Sequence, residues 1–288
     1  MIKNYYRLTK PGIIYGNAIT TIAGFLLASK GHVNFGLLLA ALAGVSLVIA
    51  SACVFNNLLD RDIDSKMERT RNRAMVSGTI PKHSAVIFGI VLIVLGSFVL
   101  AKWTNLLTLS IGLAGFLVYV ALYTPLKRRS VHGTLVGAVA GAVPPVVGYC
   151  AVSNKFDLGA VLLFLILVSW QMPHFYAIAI RRLDDYAKAN IPVLPVKKGI
   201  YFTKINILIY TLLFIVLTIL MFVYRYTGYL YLAAAVLLGL YWLTNAAKGF
   251  RDGMDDKAWA RKMFLISLIV LTTLSIAISI DSFLPNRL

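Results

Sequence analysis

Long uncharged runs of apolar residues alternate with short polar segments along the whole chain. Within each run the apolar residues are continuous rather than alternating, which favours helices over half-buried strands. Nine runs are long enough, or nearly so, to cross about 30 Å of hydrocarbon. They cover residues 12–29, 36–58, 86–101, 106–124, 135–153, 158–180, 205–224, 229–247 and 263–280. We therefore predict an all-α polytopic membrane protein with nine transmembrane helices in a single domain, residues 1–288.

Composition excludes most other classes of protein. Of the 288 residues, 59% are hydrophobic and 14% are charged, whereas average soluble domains carry about 25% charged residues. The only cysteines are Cys53 and Cys150, which lie far apart in apolar segments and exclude a disulfide scaffold. We interpret the first apolar run as a retained span rather than as a cleaved signal peptide.

Basic residues predict the orientation in the membrane. The net charge is +17, and 23 of the 28 Lys and Arg residues lie in segments that share one side if the N-terminus is cytoplasmic. These segments are 1–11, 59–85, 125–134, 181–204 and 248–262, whereas the opposite side holds Lys30, Lys102, Lys155, Arg225 and Arg287. The positive-inside rule predicts a cytoplasmic N-terminus in the inner membrane. It also explains the charge without a nucleic-acid partner.

Acidic residues cluster on the same side, although they contribute little to topology. Nine of the eleven lie in the loops 59–85, 181–204 and 248–262. Since the loops on the opposite side are short, we expect the chemistry of the protein to face the cytoplasm.

The end of the second span carries Asn56, Asp60 and Asp64, which recur every fourth residue and share one face of a continuing helix. Carboxylates spaced in this way repel each other, and a cation would offset the repulsion. Mg²⁺ is typically held by one or two carboxylates together with substrate phosphates. Because Arg69 and Arg73 follow, the pattern indicates a diphosphate site. The alternative is a solvated, salt-bridged helix end.

The sixth span is followed by a second acidic set, Asp184 and Asp185. Both sets come after a span on the same side of the membrane. Two sets facing one cavity could hold two Mg²⁺ ions on one diphosphate and neutralise the charge on the departing group.

Other polar positions leave two interpretations open. Lys127 and Arg128 fit the orientation rule alone or a clamp for an anionic substrate. Gln171 and His174 lie at membrane depth, where polar groups face the bundle interior or a cavity, so they make either helix contacts or substrate contacts. The pair Pro144-Pro145 predicts a distorted segment that is buried or lines a cavity.

The spacing Asn56-x₃-Asp60-x₃-Asp64 resembles the first aspartate motif of the UbiA superfamily of intramembrane prenyltransferases. Further strings resemble its haem-farnesylating branch in particular, and the resemblance covers nearly the whole chain. These strings are Lys10-Pro11, Met67 to Thr70, Tyr123 with Lys127-Arg128, Gly141 to Pro145, Trp170 to Phe175, and Asp185-Tyr186 followed by Pro192 to Val196.

The resemblance implies a helical bundle around a central cavity, dependence on Mg²⁺, and membrane lipid around the bundle. It implies farnesyl diphosphate and protohaem IX as substrates and haem O as product, supplied to terminal oxidase assembly or to a haem A synthase. The implied catalytic residues are Asp60, Asp64 and Asp185. The implied metal ligands are Asn56, Asp60, Asp64, Asp184 and Asp185. The implied substrate-binding residues are Asn56, Arg69, Arg73, Tyr123, Lys127, Arg128, Gln171 and His174.

One position departs from the superfamily pattern. Many members carry a second motif of the type Asp-x₃-Asp, but Arg181 stands four residues before Asp185. Asp185 is therefore the preferred acidic residue of this segment.

Three rival functions fit these residues less well. Prenylation of an aromatic acid or quinone precursor is opposed by the string Trp170 to Phe175. A secondary transporter would carry ionisable residues near the membrane midplane, whereas the acids here lie at the edge. A CDP-alcohol phosphotransferase would need Gly after its first Asp, and Arg61 follows Asp60.

Overall fold

The computed structural model describes residues 2–284, and this part of the chain is helical and contains no strand. Nine of its helices are long and apolar enough to cross a membrane, and each matches one predicted span. They are α1 Pro11–Ser29, α2 Phe35–Leu59, α3 Lys82–Trp103, α4 Leu106–Leu126, α5 Gly133–Ser153, α6 Leu158–Arg181, α7 Leu194–Val223, α8 Tyr229–Phe250 and α9 Asp256–Asp281. Arg287 lies outside the described residues. The predicted polytopic all-α fold is confirmed.

Several helices are longer than predicted at the end of the bundle that carries the acidic loops, here called the loop end. Helix α7 begins at Leu194 rather than 205, and α9 begins at Asp256 rather than 263. Lysine and arginine can keep their charged heads in water while their stems lie along apolar surface, so charged residues continue a helix beyond the apolar run. Two short helices, Ile2–Leu8 and Leu183–Lys188, also lie at this end and were not predicted.

Close backbone contact joins α1 to α5. A Cβ atom on Gly24 would lie 2.0 Å from the carbonyl oxygen of Pro145, and one on Gly148 would lie 2.1 Å from that of Thr21. No side chain larger than glycine fits at either position, which is typical of tightly packed transmembrane helices. Helices α1 and α5 are therefore closely packed, and both contact α2.

Helix α7 is kinked at Gly199, where the backbone φ is 81° and not helical. Two further spanning helices, α4 and α5, are irregular beside α2. Helix α5 is interrupted at Ala142, directly before the buried pair Pro144 and Pro145, as predicted. Helix α4 widens into a π-helix over Val118–Tyr123. Pro125 follows this segment and has no N–H to donate to the preceding turn, and π-helical turns are frequent at functional sites. Both irregular segments lie beside α2.

Candidate active site

The predicted column of Asn56, Asp60 and Asp64 is present at the loop end of α2. Helix α2 ends at Leu59, and a single helical turn, Arg61–Asp64, follows. The backbone N–H of Asp60 still donates to Asn56 at 2.9 Å, and that of Asp64 donates to Asp60 at 2.8 Å, so the four-residue spacing survives the break. All three side chains are buried, which excludes a solvated helix end.

Each carboxylate of the column has a basic partner. Lys127, directly after α4, donates to Asp60. Arg73, in the loop after α2, donates to Asp64 at 2.6 Å. A buried carboxylate requires such a partner because losing contact with water is expensive. Burial lowers the pKa of Lys127, while the charge of Asp60 opposes this shift.

Asn56 is held by two residues that sequence analysis had not assigned to the site. Lys10 Nζ donates to Asn56 Oδ1 at 2.5 Å, and Asn56 Nδ2 donates to Thr124 Oγ1 at 3.1 Å. Burial lowers the pKa of Lys10 to about 8. Lys10 also adopts a left-handed backbone with φ 53°, a strained conformation for a residue with a side chain. The sequence signal was the Lys-Pro pair that opens α1 on the side of the acidic loops.

One oxygen of the column is open. Asp60 Oδ1 is buried and accepts no hydrogen bond within the described residues, and Arg128 Nη2 lies 3.5 Å from it. No group of three His, Cys, Asp or Glu side chains in residues 2–284 could hold a metal. Mg²⁺ needs fewer protein ligands than this, because phosphate oxygens and water complete its coordination. A buried carboxylate with an open oxygen fits that requirement.

An apolar cavity lies directly below the column. Its empty volume, including space open to solvent, is about 510 Å³. Its walls come from α1, α2, α4 and α5. On α2 the lining extends from Cys53, one turn before Asn56, down to Val45. Since Val45 precedes Asn56 by eleven residues, the lining descends about 16 Å from the column.

The π-helix of α4 presents tyrosines at the mouth of this cavity. Tyr119 lines the cavity, and its ring lies 5.1 Å from that of Tyr123. Lys127 Nζ lies 5.4 Å from the ring centre of Tyr123. A Cβ atom on Gly137 would lie 2.8 Å from this ring, so the glycine leaves the space that the tyrosine occupies. Tyr123 thus lies beside Lys127, the partner of Asp60, and substrate contact by Tyr123 stays a prediction.

Arg128 pairs with an acid of the protein, and its predicted contact with an anionic substrate stays a prediction. Its two terminal nitrogens donate to Asp62 at 2.8 and 2.7 Å, and it also donates to the carbonyl oxygen of Leu59. These hydrogen bonds lower the pKa of Asp62. Arg128 therefore joins the end of α2 to the end of α4.

The second acidic set forms no metal-ligand group with the column within residues 2–284. Asp184 is 71% exposed and accepts a hydrogen bond from Lys257 at 2.9 Å, which lowers its pKa. It is directed towards α9 and is not grouped with the column. Asp185 is half-buried on the same short helix. The structure therefore separates two residues that the sequence had placed together as metal ligands.

Contacts between the two acidic loops lie close to Asp185. Buried Ile63 and Met67 pack in one cluster with Ala189 and Ile191. Beside them, Arg69 Nη2 donates to the hydroxyl of Tyr186 at 3.5 Å, and its guanidinium lies 5.8 Å from the ring centre. The loops thus touch, with Arg69 and Tyr186 between them.

Gln171 and His174 make helix contacts. Gln171 Nε2 donates to the carbonyl of Ala138 in α5 at 3.0 Å. His174 Nδ1 lies 2.7 Å from Ser267 Oγ in α9, and its ring stacks on Trp170 at 4.9 Å. Neither side chain lines the cavity below the column. This arrangement favours the helix-contact interpretation, and substrate contact by these residues stays a prediction.

Comparisons with known proteins agree with this geometry. The model of the UbiA prenyltransferase family matches residues 17–268. The chain is 50% identical over 287 residues to protoheme IX farnesyltransferase of Sodalis glossinidius, covering 99% of this chain and 97% of the relative. It is likewise 50% identical over 281 residues to the protein of the same name from Protochlamydia amoebophila, covering 98% and 99%.

Solved structures share the fold at low sequence identity. A digeranylgeranylglyceryl phosphate synthase superposes with a TM-score of 0.82 at 20% identity, covering 98% of each chain. A UbiA homologue from Archaeoglobus fulgidus, bound to DMAPP and Mg²⁺, superposes with a TM-score of 0.73 at 16% identity, covering 96% and 99%.

Proposed function

The chain belongs to the UbiA prenyltransferase family, and we propose that it transfers a farnesyl group from farnesyl diphosphate to a vinyl group of protohaem IX, giving haem O and diphosphate. The observation that carries the proposal is a buried column of acids with basic partners directly above an apolar cavity. The column suits a diphosphate with its cation, and the cavity suits a hydrocarbon chain. The full-length relatives named for haem farnesylation support the choice of acceptor.

The residues of the column and their partners would bind the donor diphosphate. Asn56, Asp60 and Asp64 would hold Mg²⁺, with Asp185 as the preferred ligand from the second loop. When bound, Mg²⁺ would neutralise charge developing on the departing diphosphate. Arg73, which pairs with Asp64, would donate hydrogen bonds to phosphate oxygens.

Arg69 would extend the diphosphate site from the side. It lies between the two acidic loops, where its guanidinium can form paired hydrogen bonds to phosphate oxygens. Charged donors aimed at the leaving group stabilise charge that develops in the transition state. Arg69 is itself exposed to water, so its contribution would be smaller than that of Arg73.

The cavity would hold the farnesyl chain and exclude water from it. Burial of each CH₂ group contributes about 0.8 kcal/mol. Tyr119 and Phe116 line the cavity, and aromatic faces attract positive charge such as that developing on the first farnesyl carbon.

Bond changes in the proposed reaction are balanced as follows. The bond between the first farnesyl carbon and oxygen breaks, and its electron pair leaves with the diphosphate. A vinyl carbon of the haem bonds to the farnesyl carbon, and water adds to the resulting cation and loses a proton. Lys127 and Arg128 are the predicted partners of the haem propionates, although Arg128 would have to release Asp62 to reach one.

We also propose that this multi-pass protein lies in the inner membrane with its loop end towards the cytoplasm. The distribution of Lys and Arg supports this orientation. Haem O would then pass to terminal oxidase assembly or to a haem A synthase.

A direct assay tests the proposed reaction. The purified protein in detergent receives farnesyl diphosphate and Mg²⁺ together with either protohaem IX or 4-hydroxybenzoate, and products are identified by mass. We expect haem O, no prenylated benzoate, and loss of the product when a chelator removes Mg²⁺. Prenylated benzoate without haem O would replace this proposal with the rival aromatic prenyltransferase.

A further inference from the structure

Asp62 interrupts the pattern of the column, since it lies midway between Asp60 and Asp64 but does not share their face. Its side chain is 65% exposed, whereas that of Asp60 is 2% exposed. An exposed acid beside a cation site usually contributes little to binding. Its contacts, however, are directed at one residue, Arg128.

The guanidinium of Arg128 is shared unequally between two acids. Both terminal nitrogens donate to Asp62, at 2.8 and 2.7 Å, in the paired geometry that suits a carboxylate. One of these nitrogens also donates to the carbonyl of Leu59. The same nitrogen stands 3.5 Å from Asp60 Oδ1, the buried oxygen that accepts no hydrogen bond.

This geometry points to Asp62 as a positioning residue that keeps Arg128 off Asp60, so that Asp60 Oδ1 remains open to a divalent cation. Arg128 and Asp60 already form a loose ion pair at 3.5 Å. Without Asp62 the guanidinium would move into hydrogen-bond distance of Asp60 Oδ1, because attraction between charges is stronger away from water. Asp62 competes with Asp60 for the guanidinium of Arg128 and holds it on the solvent side through two hydrogen bonds. The inference rests on the proposed function, which makes Asp60 a ligand of Mg²⁺.

Divalent-cation binding in a double-mutant cycle tests the inference without measuring catalysis. Purified protein in detergent is titrated with Mn²⁺ in the presence of farnesyl diphosphate and without haem, and free Mn²⁺ is measured by electron paramagnetic resonance. We expect Asp62→Asn to weaken Mn²⁺ binding about tenfold, the effect of one charged hydrogen bond made by Arg128 to Asp60. The double variant Asp62→Asn with Arg128→Gln should bind within about twofold of wild type, because the competing guanidinium is gone.

Glu68→Gln is the matched control. Glu68 lies in the same loop, is exposed, and forms no salt bridge among the described residues, so this variant removes the same charge without freeing Arg128. We expect it to bind Mn²⁺ like wild type. Recovery of binding in the double variant separates release of Arg128 from loss of folding.

The other outcomes are distinct. Wild-type binding by Asp62→Asn, or equal weakening in the single and double variants, would overturn the positioning role and leave the proposed function intact. Weakening by Glu68→Gln equal to that by Asp62→Asn would also overturn it, because the effect would then be one of net charge. Absence of Mn²⁺ binding by the wild type would overturn the proposed metal site, and this inference with it.

Discussion

The loops after α2 and α6 both carry acidic clusters, but their acids Asp60 and Asp184 differ in their exposure to water. The side chain of Asp60 is 2% exposed, whereas that of Asp184 is 71% exposed. Both accept a hydrogen bond from a lysine, Lys127 and Lys257 respectively. The difference is the burial of the pair, because Lys127 is 17% exposed whereas Lys257 is 63% exposed. Charge pattern alone does not distinguish a binding site from a surface ion pair.

Burial changes the energetic weight of these pairs. Exposed pairs are screened by water and contribute little to stability. Breaking a buried pair by removing one partner is strongly destabilising, since the remaining charge stays away from water. We therefore expect substitution of a buried acid to reduce activity more than substitution of an exposed acid.

The largest effect is expected for Asp60→Asn. This change removes the charge of the proposed ligand and leaves Lys127 without its buried partner. By analogy with the loss of one group that stabilises transition-state charge, farnesyl transfer should fall about 10²- to 10³-fold. The measurement is kcat/KM for haem O formation at saturating Mg²⁺, with size-exclusion chromatography to confirm folding. A folded variant with more than a tenth of wild-type activity would contradict the role of the column.

Sequence analysis predicted the nine spans because uninterrupted apolar runs in lipid have essentially one structural solution. It also predicted the column, because four-residue spacing along a helix is local information. It could not place Lys10, since its contact with Asn56 joins residues 46 positions apart. The π-helix of α4 was not predicted either, because Pro125 permits several ways of ending a helix.

The separation of Asp184 from Asp185 was also beyond the sequence. Adjacent residues on a helix point about 100° apart, so only one of them can face a given neighbour. Which one pairs with Lys257 of α9 depends on how the helix Leu183–Lys188 docks, and its neighbours Ala189 and Ile191 pack against Ile63 and Met67. The sequence shows both acids but not the orientation of the helix about its axis, which decides the direction of each side chain.

An intermediate effect is expected for Asp185→Asn. Asp185 is half-buried beside the contact of Arg69 with Tyr186, so it is the acid of the second loop best placed to face the site. We expect the Mg²⁺ concentration for half-maximal activity to rise about tenfold, the effect of losing one charged ligand contact. Titration of haem O formation with Mg²⁺ measures this. An unchanged requirement would confine the metal site to the first loop.

The smallest effect is expected for Asp184→Asn, although the family resemblance had made Asp184 a metal ligand. Its partner Lys257 lies in the first turn of α9 and is itself 63% exposed, so water replaces the lost hydrogen bond on both sides. Farnesyl transfer and its Mg²⁺ requirement should stay within twofold of wild type. Lys257→Gln is the matched control, because it breaks the same pair without removing a carboxylate. If Asp184→Asn raised the Mg²⁺ requirement as far as Asp185→Asn while Lys257→Gln did not, Asp184 would have to turn from α9 towards the column when the donor binds. Exposure of the acid would then no longer distinguish the cation-binding loop from the loop with a surface ion pair.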